Sequence, residues 1–165
     1  MKTNSISLSV NGEDHTLDVQ GNETLLDTVR HALFLTGAKM SCEEGRCGSC
    51  TLLVDGNAVA SCIVLTSDLD GASVTTIEGL QVGGKLHPVQ EAFLEATGLQ
   101  CGYCTPGMVM SCVSILDKDP TASEEQVRTK LSGNICRCTG YVKILDAVRL
   151  VQQGHQGHQG QEARS

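Results

Sequence analysis

The nine cysteines of this 165-residue chain constrain its structure more than any other feature. Eight of them form two sets of four, of which the first is Cys42, Cys47, Cys50 and Cys62 and the second is Cys101, Cys104, Cys136 and Cys138. The odd count, the lack of an export signal and the closeness of Cys136 to Cys138 argue against a disulfide scaffold. The cysteines are therefore predicted to bind metal, and two metal centres in so short a chain indicate electron transfer between them.

The first set has the spacing of a plant-type [2Fe–2S] site, C-x4-C-x2-C with a fourth cysteine further along the chain. Gly45 and Gly48 lie between these cysteines, where glycine allows a positive φ and lets backbone amides point at a cluster. Four cysteines can also bind zinc, but structural zinc usually takes its ligands as two short-spaced pairs. The loop therefore favours an iron–sulfur cluster over zinc.

The second set combines a C-x-x-C motif with a C-x-C motif. Each motif ends in a Cys-Thr step that opens a predicted helix, so that helix N-terminal amides would face one anionic cluster from both sides. From the spacing alone, a [2Fe–2S] cluster and zinc both stay open here. Cys112 lies among apolar residues of a predicted helix and is interpreted as a buried thiol.

The N-terminal half, residues 1–80, is predicted to be a β-grasp ferredoxin domain. Alternating apolar residues that turn at Asn11-Gly12 predict a hairpin. Thr24-Leu25-Leu26-Asp27 resembles a capping box and predicts a helix that runs to Gly37. A second hairpin, with strands at residues 51–54 and 58–65, places Cys62 within a strand, and Val74–Ile77 is predicted as a further strand.

After a linker at residues 81–84, residues 85–153 are predicted to form a four-helix bundle, which makes the fold class α+β. The predicted helices are residues 88–97, residues 106–117 with Thr105 as the N-cap, a helix that starts at the Ser123 capping box and ends at Gly133, and residues 141–153. Residues 154–165 carry a Gly-His-Gln repeat with few apolar residues and are predicted to be a disordered polar tail.

Charge and hydropathy exclude two further classes of function. The formal net charge is −7, and no two lysines or arginines are adjacent, so that the basic surface of a nucleic-acid binder is missing. No apolar stretch is long enough to span a bilayer. The chain is therefore predicted to be a cytoplasmic protein.

Three motifs, in this order, resemble the iron–sulfur subunit of the molybdenum hydroxylases, the xanthine oxidase family. They are CEEGRCGSCT at residues 42–51, QCGYCTPG at residues 100–107 and NICRCTGY at residues 134–141. The resemblance runs from about Ile6 to Val151, and the chain looks like the small subunit of a three-chain enzyme such as carbon monoxide dehydrogenase or the bacterial N-heterocycle and aldehyde oxidoreductases.

This resemblance implies a position for each cofactor. Both cysteine sets would hold [2Fe–2S] clusters, the first nearer to FAD on a medium partner subunit and the second beside the molybdopterin cofactor of a large partner subunit. Gln100 would hydrogen-bond the pterin, and Cys138 would be the ligand closest to it. The assembly implied is a dimer of heterotrimers. Ser41 stands where the family usually has glycine, which would alter a backbone donor to the first cluster and so tune its potential, while it leaves the ligands intact.

The function implied by the resemblance is electron transfer, with no substrate catalysis on this chain. A large partner would oxidise a C–H bond of a small substrate, such as an N-heterocycle or an aldehyde. Electrons would then pass through the second cluster and the first cluster to FAD. Two alternatives stay open, namely a free-standing two-cluster ferredoxin and a structural zinc protein.

Overall fold

The computed structural model describes residues 3–162 of the chain, and their side chains as far as residue 154. Within that range a mixed sheet is followed by helices, which gives the predicted α+β class. The elements are β1 (Thr3–Val10), β2 (Glu13–Gln20), α1 (Leu25–Asp27), β3 (Thr51–Val54), β4 (Asn57–Ala60), β5 (Ser73–Thr75), α2 (Pro88–Glu95), α3 (Thr105–Lys118), α4 (Glu124–Lys130) and α5 (Val142–Glu162).

The sheet has the strand order β2-β1-β5-β3-β4. The predicted hairpin is confirmed: β1 and β2 pair antiparallel through a turn in which Asn11 and Gly12 both have positive φ. β5 pairs parallel with β1 and antiparallel with β3, and β3 also pairs antiparallel with β4. Alternation along β1 buries Ile6, Leu8 and Val10.

The Thr24 capping box is confirmed, because its hydroxyl accepts the Asp27 N–H and the Asp27 carboxylate accepts the Thr24 N–H. The helix then widens into π-helical turns at Thr28–Ala32. It stops before Phe34, whose φ is 56°, so the predicted continuation to Gly37 is wrong. A residue in the left-handed region cannot extend a right-handed helix.

The placement of Cys62 within a strand is also wrong. β4 ends at Ala60, and Cys62 lies in a 3-10 turn at Ser61–Ile63. The hydroxyl of the buried Ser61 donates to the carbonyl oxygen of Cys50 at 2.7 Å. This bond directs the chain towards the first cysteine loop instead of along the sheet. The strand predicted at Val74–Ile77 exists as β5, which begins one position earlier and ends two positions earlier, at Thr75.

The C-terminal half contains α2 to α5. The Ser123 capping box is confirmed by its bonds with Gln126. Thr105 is the first residue of α3 and not its N-cap, which is Cys104, and Pro106 occupies the first turn, where no N–H is needed. Between the halves, Gly83 and Gly84 both have positive φ and close a tight turn.

The C-terminal tail differs from the prediction in its first part. α5 continues past Gln153 to Glu162, so that residues 154–162, predicted to be disordered, are helical. The remaining predicted tail residues, 163–165, lie outside the described residues. None of the helices in the described range is long and apolar enough to cross a membrane.

Two groups of buried side chains form the core. One lies under the sheet and includes Leu25, Leu26 and Val29 of α1 and its continuation. The other lies among the helices, and Leu53 of β3 and Leu80 belong to it. β3 therefore contributes to both cores, with Leu52 in the first and Leu53 in the second, and α3 packs directly against it. This contact brings the two cysteine sets into one region of the molecule.

Candidate metal centres

The first cysteine loop is folded so that its backbone amides face sulfur. The Cys42 Sγ accepts N–H groups from Arg46 and Cys47, each at 3.4 Å. Gly45 and Gly48 have φ of 72° and 66°, the positive values predicted for this loop. N–H groups directed at a thiolate stabilise its negative charge.

Within the first set the strongest interactions between thiols are those of Cys47 with Cys42 and of Cys62 with Cys50, and Cys62 also feels the charge of Cys42. Burial opposes ionisation of Cys47, but hydrogen bonds from Ser49 and Cys42 outweigh it and lower the pKa of this thiol to about 6. Burial, together with the neighbouring Cys50, raises the pKa of Cys62 to about 11. A bound metal would have to hold both as thiolates.

In the second set the strongest interactions are those of Cys104 with Cys136 and of Cys138 with Cys101, and weaker ones join the two pairs. Burial and the neighbouring Cys136 raise the pKa of Cys104 to about 12. Burial also opposes ionisation of Cys136, but the hydroxyl of Thr139, which donates to its Sγ at 3.0 Å, and further hydrogen bonds lower its pKa. The contact with Cys101 raises the pKa of Cys138.

The two sets differ in exposure. Cys50 and Cys62 are buried, whereas Cys101 and Cys138 are exposed. Gln100 is exposed as well and precedes Cys101. The structure therefore brings Gln100, Cys101 and Cys138 to one open side of the second set, while Cys136 faces the interior.

Hydrogen bonds join the two cysteine sets directly. The N–H of Ile135 donates to the carbonyl oxygen of Cys47 at 2.9 Å, and Ile135 precedes Cys136. The hydroxyl of Tyr103, inside the C-x-x-C motif, donates to the carbonyl oxygen of Met40. Each motif of the second set thus contacts the segment that carries the first set.

Sequence reasoning missed the polar residues that support these loops. They are Ser111, Asn134, Thr139 and Tyr141, which bond to cysteine-loop atoms or to one another. Three of them lie within the NICRCTGY motif, so the motif itself was a signal, whereas Ser111 in α3 had none. Cys112 is fully buried, as predicted, and burial raises its pKa to about 12.

In the described part of the chain no three cysteine, histidine or acidic side chains converge on the position of a single metal ion. The strongest interactions between thiols join two members at a time, with weaker interactions between the pairs of each set. A [2Fe–2S] cluster has two irons and four cysteine ligands, so two thiolates serve each iron. The donor type and the paired arrangement fit that cofactor.

The fold and the paired thiols define a protein with two iron–sulfur sites, and comparison with known families agrees. A 2Fe-2S iron-sulfur cluster binding domain matches residues 8–75. A second, distinct [2Fe-2S] binding domain matches residues 76–149. Each match contains one complete cysteine set.

The relatives share most of the chain. The nicotine 6-hydroxylase small subunit of Paenarthrobacter nicotinovorans is 48% identical over 87% of this chain and 86% of its own length. The nicotinate dehydrogenase small FeS subunit of Eubacterium barkeri is 43% identical over 88% and 92%. Caffeine dehydrogenase subunit gamma of a Pseudomonas species is 42% identical over 92% of both chains. The chain belongs to the family of small [2Fe–2S] subunits of molybdenum hydroxylases.

Solved structures agree on the fold. Quinoline 2-oxidoreductase from Pseudomonas putida 86 has a chain that superimposes with a TM-score of 0.89 at 41% identity, covering 94% of this chain and 98% of that one. The aldehyde oxidoreductase from Desulfovibrio gigas gives a TM-score of 0.89 at 39% identity. There the match covers 93% of this chain and 17% of the longer protein.

Proposed function

We propose that this chain is the electron-transfer subunit of a three-chain molybdenum hydroxylase. The observation that carries the proposal is the pairing of thiols in two adjacent sets linked by hydrogen bonds. Two [2Fe–2S] clusters held there would supply one-electron steps between a two-electron oxidation on one partner and a flavin on another.

The first site would be held by Cys42, Cys47, Cys50 and Cys62, and the second by Cys101, Cys104, Cys136 and Cys138. Structural zinc usually takes its ligands as two short-spaced pairs, whereas three ligands of the first site lie in one nine-residue loop. The helical half around the second site would be the four-helix-bundle domain, residues 85–153, joined by residues 81–84 to the ferredoxin domain, residues 1–80.

The second site is the better candidate for the side that faces the molybdenum cofactor. Cys101 and Cys138 are exposed, and Gln100, which precedes Cys101, is exposed as well. A large partner subunit docked here would bury this edge and bring a pterin within reach of Gln100. The first site would then pass electrons to FAD on a medium subunit.

The names of the relatives support a substrate class. Several are named for nicotine, nicotinate or caffeine, which are nitrogen heterocycles, and others are named as subunits of aldehyde oxidoreductases. We propose that the complex oxidises an N-heterocycle, with an aldehyde as the second class. Its pocket would lie on the large subunit. We also propose that the complex is a dimer of heterotrimers and that it lies in the cytoplasm.

The test is purification of the complex from its native cell through an affinity tag on this chain. Co-purifying chains are identified by mass spectrometry, and iron, molybdenum and flavin are counted. The expected result is two partner chains, about four irons per copy of this chain, and bleaching of the visible absorbance by an N-heterocycle. Iron without a molybdenum-binding partner would identify a free-standing ferredoxin, and zinc in place of iron would refute both clusters.

A further inference from the structure

Asn134 lies buried between the two cysteine sets and its side chain contacts both halves of the molecule. Its Nδ2 is 3.0 Å from the carbonyl oxygen of Gly48, 3.2 Å from the Thr51 hydroxyl and 3.2 Å from the carbonyl oxygen of Gly107. Its Oδ1 accepts the Ser111 hydroxyl at 2.8 Å. One amide thus joins the first cysteine loop, the start of β3 and the start of α3.

The backbone of Asn134 reaches the second set as well. The Tyr141 hydroxyl donates to the Asn134 carbonyl oxygen at 3.0 Å and accepts the Cys136 N–H at 2.9 Å. The next residue, Ile135, donates its N–H to the Cys47 carbonyl oxygen. Asn134 therefore stands where the peptide that leads to Cys136 meets the peptide between Cys47 and Cys50.

The contact around this amide has no spare room. A Cβ on Gly48 would lie 2.5 Å from the Asn134 Nδ2 and 2.5 Å from the Gly133 carbonyl oxygen. A Cβ on Gly107 would lie 2.1 Å from the Gly48 carbonyl oxygen. Backbones this close hold one relative position. Neither loop can approach further, and the hydrogen bonds of the Asn134 side-chain amide resist separation.

We propose that Asn134 is a positioning residue that fixes the distance and orientation between the two clusters. Its amide donates to carbonyl oxygens from both halves, Gly48 and Gly107, and so links the two backbones within a buried site. The inference rests on the proposed function in one respect, namely that both cysteine sets hold [2Fe–2S] clusters. It assigns to Asn134 a role distinct from ligation.

The test is Asn134→Asp in the holoprotein purified with its bound subunits. The side chain keeps its size, but an oxygen replaces the amide nitrogen and repels the Gly48 and Gly107 carbonyl oxygens. When both clusters are reduced, each carries an unpaired electron, and their magnetic coupling splits the EPR signal according to distance and orientation. The expected result is a full iron content with loss of the wild-type splitting. Wild-type splitting in an iron-replete variant would overturn the proposal.

Asn11→Asp is the matched control. Asn11 also uses both ends of its amide, accepting the Thr76 N–H at 2.8 Å and donating to the Thr76 hydroxyl at 3.0 Å, but it supports the sheet and not the junction. The control is expected to keep the wild-type splitting. An equal change in both variants would show a general effect of destabilisation and would overturn the assignment to Asn134.

If Asn134→Asp does not accumulate iron, Ser111→Ala tests whether Asn134 positions the two clusters. It removes the hydroxyl that orients the Asn134 amide while leaving the amide in place, so a smaller shift in the splitting is expected. An unchanged splitting in Ser111→Ala would overturn the proposal. A wild-type protein that lacks two reducible clusters would instead refute the proposed function, and the inference would fall with it.

Discussion

The two cysteine sets reach similar paired arrangements by different routes. Three thiols of the first set come from a single loop, whose own amides bond to Cys42. The second set is assembled from two segments, which the intervening α3 and α4 bring together, and Thr139 supplies its hydrogen bonds to Cys136. The first site depends chiefly on local sequence, whereas the second depends on the packing of helices.

The difference extends to the surface. Two thiols of the first set are buried, while the second set leaves Cys101 and Cys138 exposed. A site with an open side needs a partner to exclude water from its cluster, and water around a cluster changes its potential. The helical set is therefore the one whose properties should change when subunits assemble.

The largest expected effects come from removing one ligand in each set. Cys104→Ser and Cys47→Ser should each lower the iron content from about four to about two atoms per chain, because each [2Fe–2S] cluster holds two irons. Cys104→Ser should also weaken association with the large subunit, since its cluster lies at the open side. Cys47→Ser should keep that association and give an enzyme whose helical cluster is reduced by substrate while the flavin stays oxidised.

Iron analysis, gel filtration and flavin absorbance during substrate reduction measure these outcomes. Cys112→Ser is the control, since it makes the same substitution in α3 at a buried thiol outside both sets. It should keep the wild-type iron content. Equal loss of the large subunit from Cys47→Ser and Cys104→Ser would contradict the difference between the two sites.

The next largest effect is expected from Gly107→Ala, which tests the close contact between the two halves. The new Cβ would meet the Gly48 carbonyl oxygen at 2.1 Å, so α3 or the first cysteine loop must move. We expect a loss of about 1–3 kcal/mol in the free energy of unfolding, as for overpacking at other buried sites. Denaturant unfolding of the iron-loaded protein measures it.

Gly133→Ala separates this clash from the general effect of alanine. A Cβ at Gly133 would have no atom within 4 Å. Its stability should stay near that of the wild type. If Gly107→Ala proved as stable as Gly133→Ala, the two halves would not be in the close contact that the structure describes.

Tyr141→Phe should affect the second site alone. The variant loses the hydroxyl that joins the Asn134 carbonyl to the Cys136 N–H and leaves both groups without this partner. A cost of about 1–3 kcal/mol is typical for a buried group left unsatisfied. Chelator challenge should release iron from the helical site faster and from the first site at the wild-type rate. Equal acceleration at both sites would contradict local support by Tyr141.

Local sequence signals predicted much of this structure. The Asn11-Gly12 hairpin and the capping boxes at Thr24 and Ser123 depend on residues within a few positions of each other, so spacing reveals them. The cysteine sets were recognisable for the same reason, because each motif is short. Which thiols approach each other as pairs in the second set depends on the fold between the motifs and was not predicted.

Two features that the sequence did not reveal depend on bonds between residues that are not neighbours in the chain. Cys62 leaves the expected strand because Ser61 bonds to the Cys50 carbonyl, an interaction that no periodicity encodes. The bond from Asn134 to the Gly48 carbonyl joins residues 86 positions apart. The Asn134 contact depends on the packing of α3 against β3, which becomes visible only when both halves are folded together.

The smallest effect is expected from Glu124→Gln on the surface of the helical half. The Glu124 carboxylate binds Arg149 of α5 and Arg128 of its own helix, and these partners hold its pKa below the usual value. A lowered pKa in the folded state stabilises the fold above the pKa of the unfolded chain, and this stabilisation is lost as the pH falls through the folded value. The variant should therefore melt slightly below the wild type at neutral pH, with a difference that shrinks in acid and in high salt.

Glu125→Gln is the matched control, since it changes the neighbouring residue of α4, for which the structure describes no ion pair. Thermal melts of both variants at neutral and acid pH, combined with iron counts, test two points at once. A pH-independent difference for Glu124→Gln would contradict the role of the charge. Because the pair links α4 to α5, and the second site needs these helices in place, any iron lost by Glu124→Gln should come from that site. Iron lost from the first site instead would show that the two sites do not differ in their dependence on the helices.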